Sequence, residues 1–159
     1  MVAYFHCFSG ISGDMVMGAL LDLGLEMKHL EEELSKLPVE GYRLGSRRQA
    51  RRGITGVQFS VQTSEDHHSR SHEEIRRMIE QSSLSPDVKS LSLRIFHRLA
   101  EAEAHVHGIS PEDVHFHEVG AVDSIIDIVG AAVGVCSLGI KREISSPLTV
   151  GSGFVKTCH

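Results

Sequence analysis

With 159 residues, 41% of them hydrophobic and 23% charged, the chain has the size and balance of one soluble globular domain, burying roughly two-thirds of the surface its unfolded form exposes. A net charge of −5 argues against nucleic acid or an anionic membrane as partner, and no apolar run is long enough to span a bilayer. Cys7, Cys136 and Cys158 are odd in number and form no CxxC pair; with no signal-peptide pattern at the start, they point to a reducing, cytoplasmic setting.

Residues 2–8 predict a buried first strand, followed by the loop Ser9-Gly10-Ile11-Ser12-Gly13 and a helix from Asp14 to about Leu23, with Gly24 suited to a left-handed cap. Backbone N–H groups at such a turn can hold an anion, which makes Ser9, Gly10, Ser12 and Gly13 candidate cofactor-binding residues. Equally, the glycines permit a tight turn and Asp14 sits in the positive first turn of a helix. Residues 27–37 predict an amphipathic helix with Leu30, Leu34 and Leu37 inward, stopped by Pro38.

From Tyr42 to Thr63 the pattern is β with a basic middle, and Val57, Phe59 and Val61 alternate with polar residues. Its arginines at 43, 47, 48, 51 and 52 could grip a phosphate or form a solvated hairpin. Residues 64–72 are polar and irregular, with His67, His68 and His72 as a transient metal site or as solvated side chains. A helix over 73–81 puts Ile75, Met78 and Ile79 inward, and Ser85-Pro86 starts a long helix that runs to His107 and stops at Gly108.

The stretch from Ala102 to Asp127 concentrates His105, His107, His115 and His117 with Glu103, Glu118, Asp123 and Asp127 among apolar neighbours. On the long helix, Leu91, Ile95, Phe96, Leu99, Ala100, Ala102 and Val106 define an apolar arc that includes Glu103 and His107 and leaves out His97, Glu101 and His105. Burying Glu103 and His107 is costly unless each other, a metal or a substrate compensates. In a strand over 114–119, alternation puts His115 and His117 on one face, where they can chelate a metal or hydrogen-bond in a polar cleft. Glu118 joins them if the strand ends before Gly120.

A helix over 123–138 is apolar nearly all round, apart from a stripe of Asp123, Asp127, Gly130 and Gly134. Asp123 is either an N-cap or a ligand, whereas Asp127 has no capping role and is a candidate base. Cys136 reads as a small core residue. The end of the chain reads as strand, glycine turn, strand, broken off in mid-pattern as in part of a longer protein. The class is α/β: one sheet flanked by helices, with a polar hairpin. By themselves these residues fit a metal storage or delivery module or a metal-dependent hydrolase.

Three runs carry a resemblance: Ser9–Met15, Ala102-Glu103-Ala104 with His107-Gly108, and Val114–Ile125. They resemble the LarC family of nickel insertion proteins of the lactate racemase cofactor pathway, over essentially the whole chain, with His6 where the family usually has aspartate. The resemblance implies the N-terminal domain of a two-domain nickel chelatase, a metal-inserting lyase. Such enzymes place Ni²⁺ into a pyridinium bis-thiocarboxylate mononucleotide, making two Ni–S bonds and one Ni–C bond. CTP activates the substrate with Mn²⁺ or Mg²⁺ through the C-terminal domain, and lactate racemase apoenzyme is the recipient. On this reading His115 and His117 are metal ligands, with His107, Glu103 or Glu118 completing the site. Asp14, Asp123, Asp127 or Glu118 would take the ring proton or support the ligands.

Overall fold

The computed structural model describes residues 1–64, 69–116, 119–151 and 153–154. Among them are five α-helices and six strands, so the α/β class holds. The strands, however, form three separate two-stranded sheets in place of the single expected sheet. No helix among the described residues is long and apolar enough to cross a membrane.

The core is built on the last helix, α5 (Val122–Ser137), whose Ile125, Ile126, Val129, Ala132 and Val133 are fully inaccessible. Side chains of that size contribute about 1.5–3 kcal/mol each when buried, alanine less. Around it lie α1 (Gly13–Asp22), α2 (Met27–Leu34) and α4 (Pro86–His107). The small-residue stripe on α5 admits them closely: a Cβ at Gly130 would meet the Met17 side chain at 3.1 Å, and one at Gly134 would meet Leu20 at 2.8 Å. Leu30, Leu34 and Leu37 are buried as expected.

The hairpin of β2 (Tyr42–Arg51) and β3 (Ile54–Thr63) is antiparallel, from Tyr42 opposite Thr63 to Arg51 opposite Ile54. Arg52 (φ 49°) and Gly53 (φ 83°) both take the left-handed conformation that a two-residue turn of primed type demands. Phe59 points into the core. Helix α1 lies so close to β3 that a side chain at Gly18 would strike the Val57 carbonyl oxygen at 2.4 Å.

Strand β1 (Val2–Phe5) pairs in parallel with β6 (Arg142–Ser145). It is shorter than expected and not buried: Val2 and Tyr4 are 60% and 62% exposed. Its one partner among the described residues is itself exposed at every position, and no described layer covers the second face. After β6 no second strand follows among the described residues. Short strands β4 (Arg70–Ser71) and β5 (His115–Phe116) pair antiparallel ahead of α3 (His72–Gln81). A reciprocal capping box between Ser71 and Glu74 starts α3.

The ends of α4 follow the sequence closely. Ser85 Oγ accepts from Val88 N–H (3.4 Å), Pro86 opens the helix, and Gly108 closes it with φ 67°. The buried face does not follow it. The inward row is Val88, Ser92, Phe96, Ala100 and Ala104, while Leu91, Ile95 and Leu99 are half-buried and Val106 is 78% exposed. Ser92, Ala100 and Ala104 are small enough for neighbouring helices to approach closely, so packing distance outweighed hydrophobicity in choosing the face.

Candidate functional site

The N-terminal ends of α1 and α5 meet, and the meeting point is acidic. A Cβ at Gly13 would fall 2.3 Å from Asp127 Oδ2 and 2.6 Å from Asp127 Cβ. Gly13 is therefore required by the carboxylate across from it. The turn itself is made by Gly10, with φ 86° and its N–H donating to the Cys7 carbonyl at 3.1 Å. Pressed in this way, Asp127 Oδ1 is buried without a hydrogen-bond partner among the described residues.

Burial, and then the negative charges of Asp14 and Asp123, push the Asp127 carboxyl from its usual 3.8 up to about 6. Asp123 is exposed, and its Oδ1 accepts from the Ser124 N–H at 2.8 Å. The cap position belongs to Ala121, so the N-cap reading of Asp123 fails. Asp14 Oδ1 accepts from the Met15 N–H (2.9 Å) and from the Ser12 hydroxyl. A carboxylate with an unsatisfied oxygen and a pKa near 6 is ionised at neutral pH and basic enough to take a proton.

Asp14 and Ser12 also line a cleft of about 790 Å³ that runs to the hairpin, bounded by Phe8, Met15, Arg51 and Ile54. That volume lies within the range of small-molecule sites. The anion-binding expectation for Ser9, Gly10, Ser12 and Gly13 meets an obstacle here. Ser12 is engaged with Asp14, whose charge already complements the first turn of α1 and would repel a phosphate.

The histidine candidates lie on other elements. Glu103 Oε2 and His107 Nε2 are 3.3 Å apart, as their spacing of four predicts, but their side chains are 37% and 45% exposed. They form a surface pair and not the buried one expected, because the packed row of α4 lies elsewhere. His105 is exposed, as expected. His115 is exposed while its neighbour Phe116 is buried, the alternation expected of β5. It faces Glu74, whose carboxyl is held low first by the Ser71 backbone and hydroxyl and then by the charges of His115 and Arg70. His117, Glu118, His67 and His68 lie outside the described residues.

The structure thus brings together Asp14, Asp123 and Asp127, and separately pairs Glu103 with His107. Among the described residues no group of three or more His, Cys, Asp or Glu side chains stands ready to hold a metal. One cluster escaped the sequence reading: the His72 and His97 rings are 6.0 Å apart, with Glu112 acting on both. Burial, followed by the nearby His97, lowers the His72 pKa. The signal for it was weak, since His72 lies at the edge of a polar stretch and begins a helix only because Ser71 caps it.

The site is therefore that of an α/β domain in which a half-buried aspartate of raised pKa stands beside a cleft of small-molecule size. Residues 3–159 match the family model described as nickel insertion protein, and the chain belongs to that family. It is 49% identical, over 99% of its length, to the pyridinium-3,5-bisthiocarboxylic acid mononucleotide nickel insertion protein of Desulfitobacterium hafniense, of which it covers 39%. Relatives in Citrifermentans bemidjiense (54% identical, 41% of that protein covered) and Syntrophobacter fumaroxidans (55%, 40% covered) carry provisional nickel-insertion names. In each case 99% of the present chain is aligned. The chain therefore spans about two-fifths of the length of these curated relatives. No solved structure matches it.

Proposed function

We propose that this chain forms part of a cytoplasmic nickel chelatase, a metal-inserting lyase that places Ni²⁺ into a pyridinium bis-thiocarboxylate mononucleotide. Family membership and the name of the Desulfitobacterium relative support the metal and the substrate class. The observation that carries the mechanism is Asp127: a half-buried carboxylate with a pKa near 6 and one oxygen that has no partner among the described residues.

Nickel is the cargo. The two thiocarboxylate sulfurs each bond it, and the third bond forms at a ring carbon that must give up its hydrogen. In that step the C–H electron pair becomes the Ni–C bond and the proton leaves to a base. Asp127 takes that proton as ionised carboxylate, and Asp14 and Asp123 keep its basicity high by repelling its negative charge. His115 and His117, with His107, Glu103 or Glu118, are the nickel ligands on this reading, imidazole being well suited to Ni²⁺.

CTP with Mn²⁺ or Mg²⁺ activates the substrate through the remainder of the longer protein, its C-terminal domain. The charge on Asp14 makes the Ser9–Gly13 loop a poor seat for a triphosphate, so no step is assigned there. The nickel-loaded nucleotide passes to lactate racemase apoenzyme. The test is formation of the nickel nucleotide, followed by absorbance and mass, by the full-length protein given substrate, Ni²⁺, Mg²⁺ and CTP. Product with wild type and none with Asp127→Asn supports the reading. Nickel binding without product in the wild type reduces the protein to a storage module, and hydrolysis of simple esters by the chain alone would favour a hydrolase.

A further inference from the structure

We infer that the cleft between the Ser9–Gly13 loop and the hairpin seats the nucleotide of the substrate, with the phosphate held by Arg51 and the pyridinium ring set against Phe8. The ligand class rests on the functional reading above; the placement rests on the geometry that follows.

Cross-strand register opposes Arg47 to Gln58, Gln49 to Gly56 and Arg51 to Ile54, so these six residues share one face of the hairpin. Five of them, all but Arg47, line the cleft. Gly56 leaves the middle of that face open, since a Cβ there would meet nothing within 4 Å. The arginines differ in their commitments. Arg48, on the opposite face, pairs with Asp22 at 3.4 Å, and Arg47 Nε donates to Gln58 Oε1 at 3.0 Å. That bond orients the Gln58 amide and leaves its nitrogen as a donor. The Arg51 side chain has neither an ion pair nor a hydrogen bond among the described residues. The basic run that could have been a solvated hairpin or a phosphate grip thus divides, with Arg48 structural and Arg51 free to meet a ligand.

The cleft is polarised along its length. Arg51, Gln49 and Gln58 offer donors at the hairpin, and Asp14 offers a carboxylate at the helix. Apolar Phe8 and Met15 are 72% and 55% exposed on the loop and helix side. A pyridinium mononucleotide has matching parts: a phosphate at one end, a flat cationic ring at the other and a ribose between. Guanidinium binds phosphate by two parallel hydrogen bonds, and a cationic ring is attracted to the face of an aromatic side chain. Thiocarboxylates on that ring would meet Asp14 and its neighbours with like charge. Nickel bound to the two sulfurs offsets that repulsion.

The test uses nicotinamide mononucleotide and its dephosphorylated nucleoside, whose rings carry no carboxylate to be repelled by Asp14, as probes, titrated into the chain and followed by calorimetry and by amide shifts. In the wild type the mononucleotide should bind about tenfold or more tightly than the nucleoside, as expected for a charge-assisted phosphate contact. Arg51→Gln should abolish that preference while leaving nucleoside affinity unchanged, and Phe8→Leu should weaken both probes alike. Arg51 is exposed and unpaired, so its replacement leaves the fold intact. A full phosphate preference retained by Arg51→Gln, or a wild type that binds neither probe, would overturn the inference. Nickel insertion by the longer protein with an unchanged KM in Arg51→Gln would also overturn it while sparing the functional reading. Absence of any insertion activity would do the reverse.

Discussion

Replacing Asp127 by asparagine should make the metal-free protein more stable at neutral pH. The carboxyl titrates near 6 in the fold against 3.8 ordinarily. At about 1.4 kcal/mol per pKa unit this would be worth about 3 kcal/mol for a fully buried group. Asp127 is only half-buried, and solvent screening cuts the figure to about 1.5 kcal/mol. Because the folded pKa is the higher one, the cost is absent below about pH 4, where both states hold the proton. It accumulates as the unfolded chain ionises first and is fully present above about pH 6. Asparagine carries no such cost at any pH. Urea unfolding of both proteins in EDTA should therefore show their difference growing in favour of Asp127→Asn by about 1.5 kcal/mol between pH 4 and pH 7, or about 3–6 °C in Tm for a chain of this size. A difference that is constant with pH, or that grows in favour of the wild type, would refute the argument.

Other substitutions probe the packing around the site. Gly13→Ala drives a methyl group into the Asp127 carboxylate and should cost about 1–3 kcal/mol, read as a lower urea midpoint. Gly18→Ala strikes the Val57 backbone carbonyl, which cannot swing aside, and should cost at least as much. Ser92→Ala removes a buried hydroxyl with no partner among the described residues and should be neutral or stabilising by about 1 kcal/mol in the same assay. Glu103→Gln, which breaks an exposed pair with His107, should change stability by less than about 0.5 kcal/mol. A drop in nickel affinity on calorimetry in that variant would then report on the ligand role alone.

Local signals carried most of the elements. The Ser85-Pro86 start and Gly108 stop of α4, the alternation of β3 and the all-round apolarity of α5 are each written within a few residues, and each element formed. What depended on distant neighbours could not be read this way. The buried row of α4 was set by Ser92, Ala100 and Ala104, which carry little hydrophobic signal, so Glu103 and His107 came out on the surface. Strand β1 looked like a core strand by composition, but among the described residues no second layer covers it.

In the site, Asp127 stood out because an aspartate in the middle of an apolar helix needs a reason. The reason for Gly13 was hidden, since it is the same aspartate approached from the other end of the chain. The arginine run was visible as charge, but only the hairpin register separates Arg51 from Arg48.

The central claim is that Asp127 takes the ring proton when nickel is inserted. It is tested most directly by the pH dependence of insertion in the full-length protein, measured at saturating substrate in the wild type and in Asp123→Asn. A base that must be ionised predicts a rate that rises through about pH 6 and levels off above it. Removing the Asp123 charge should shift that rise to lower pH, because Asp123 is one of the charges that holds the Asp127 proton in place. A rate flat from pH 5 to 7, or a rise unmoved by Asp123→Asn, would contradict the account.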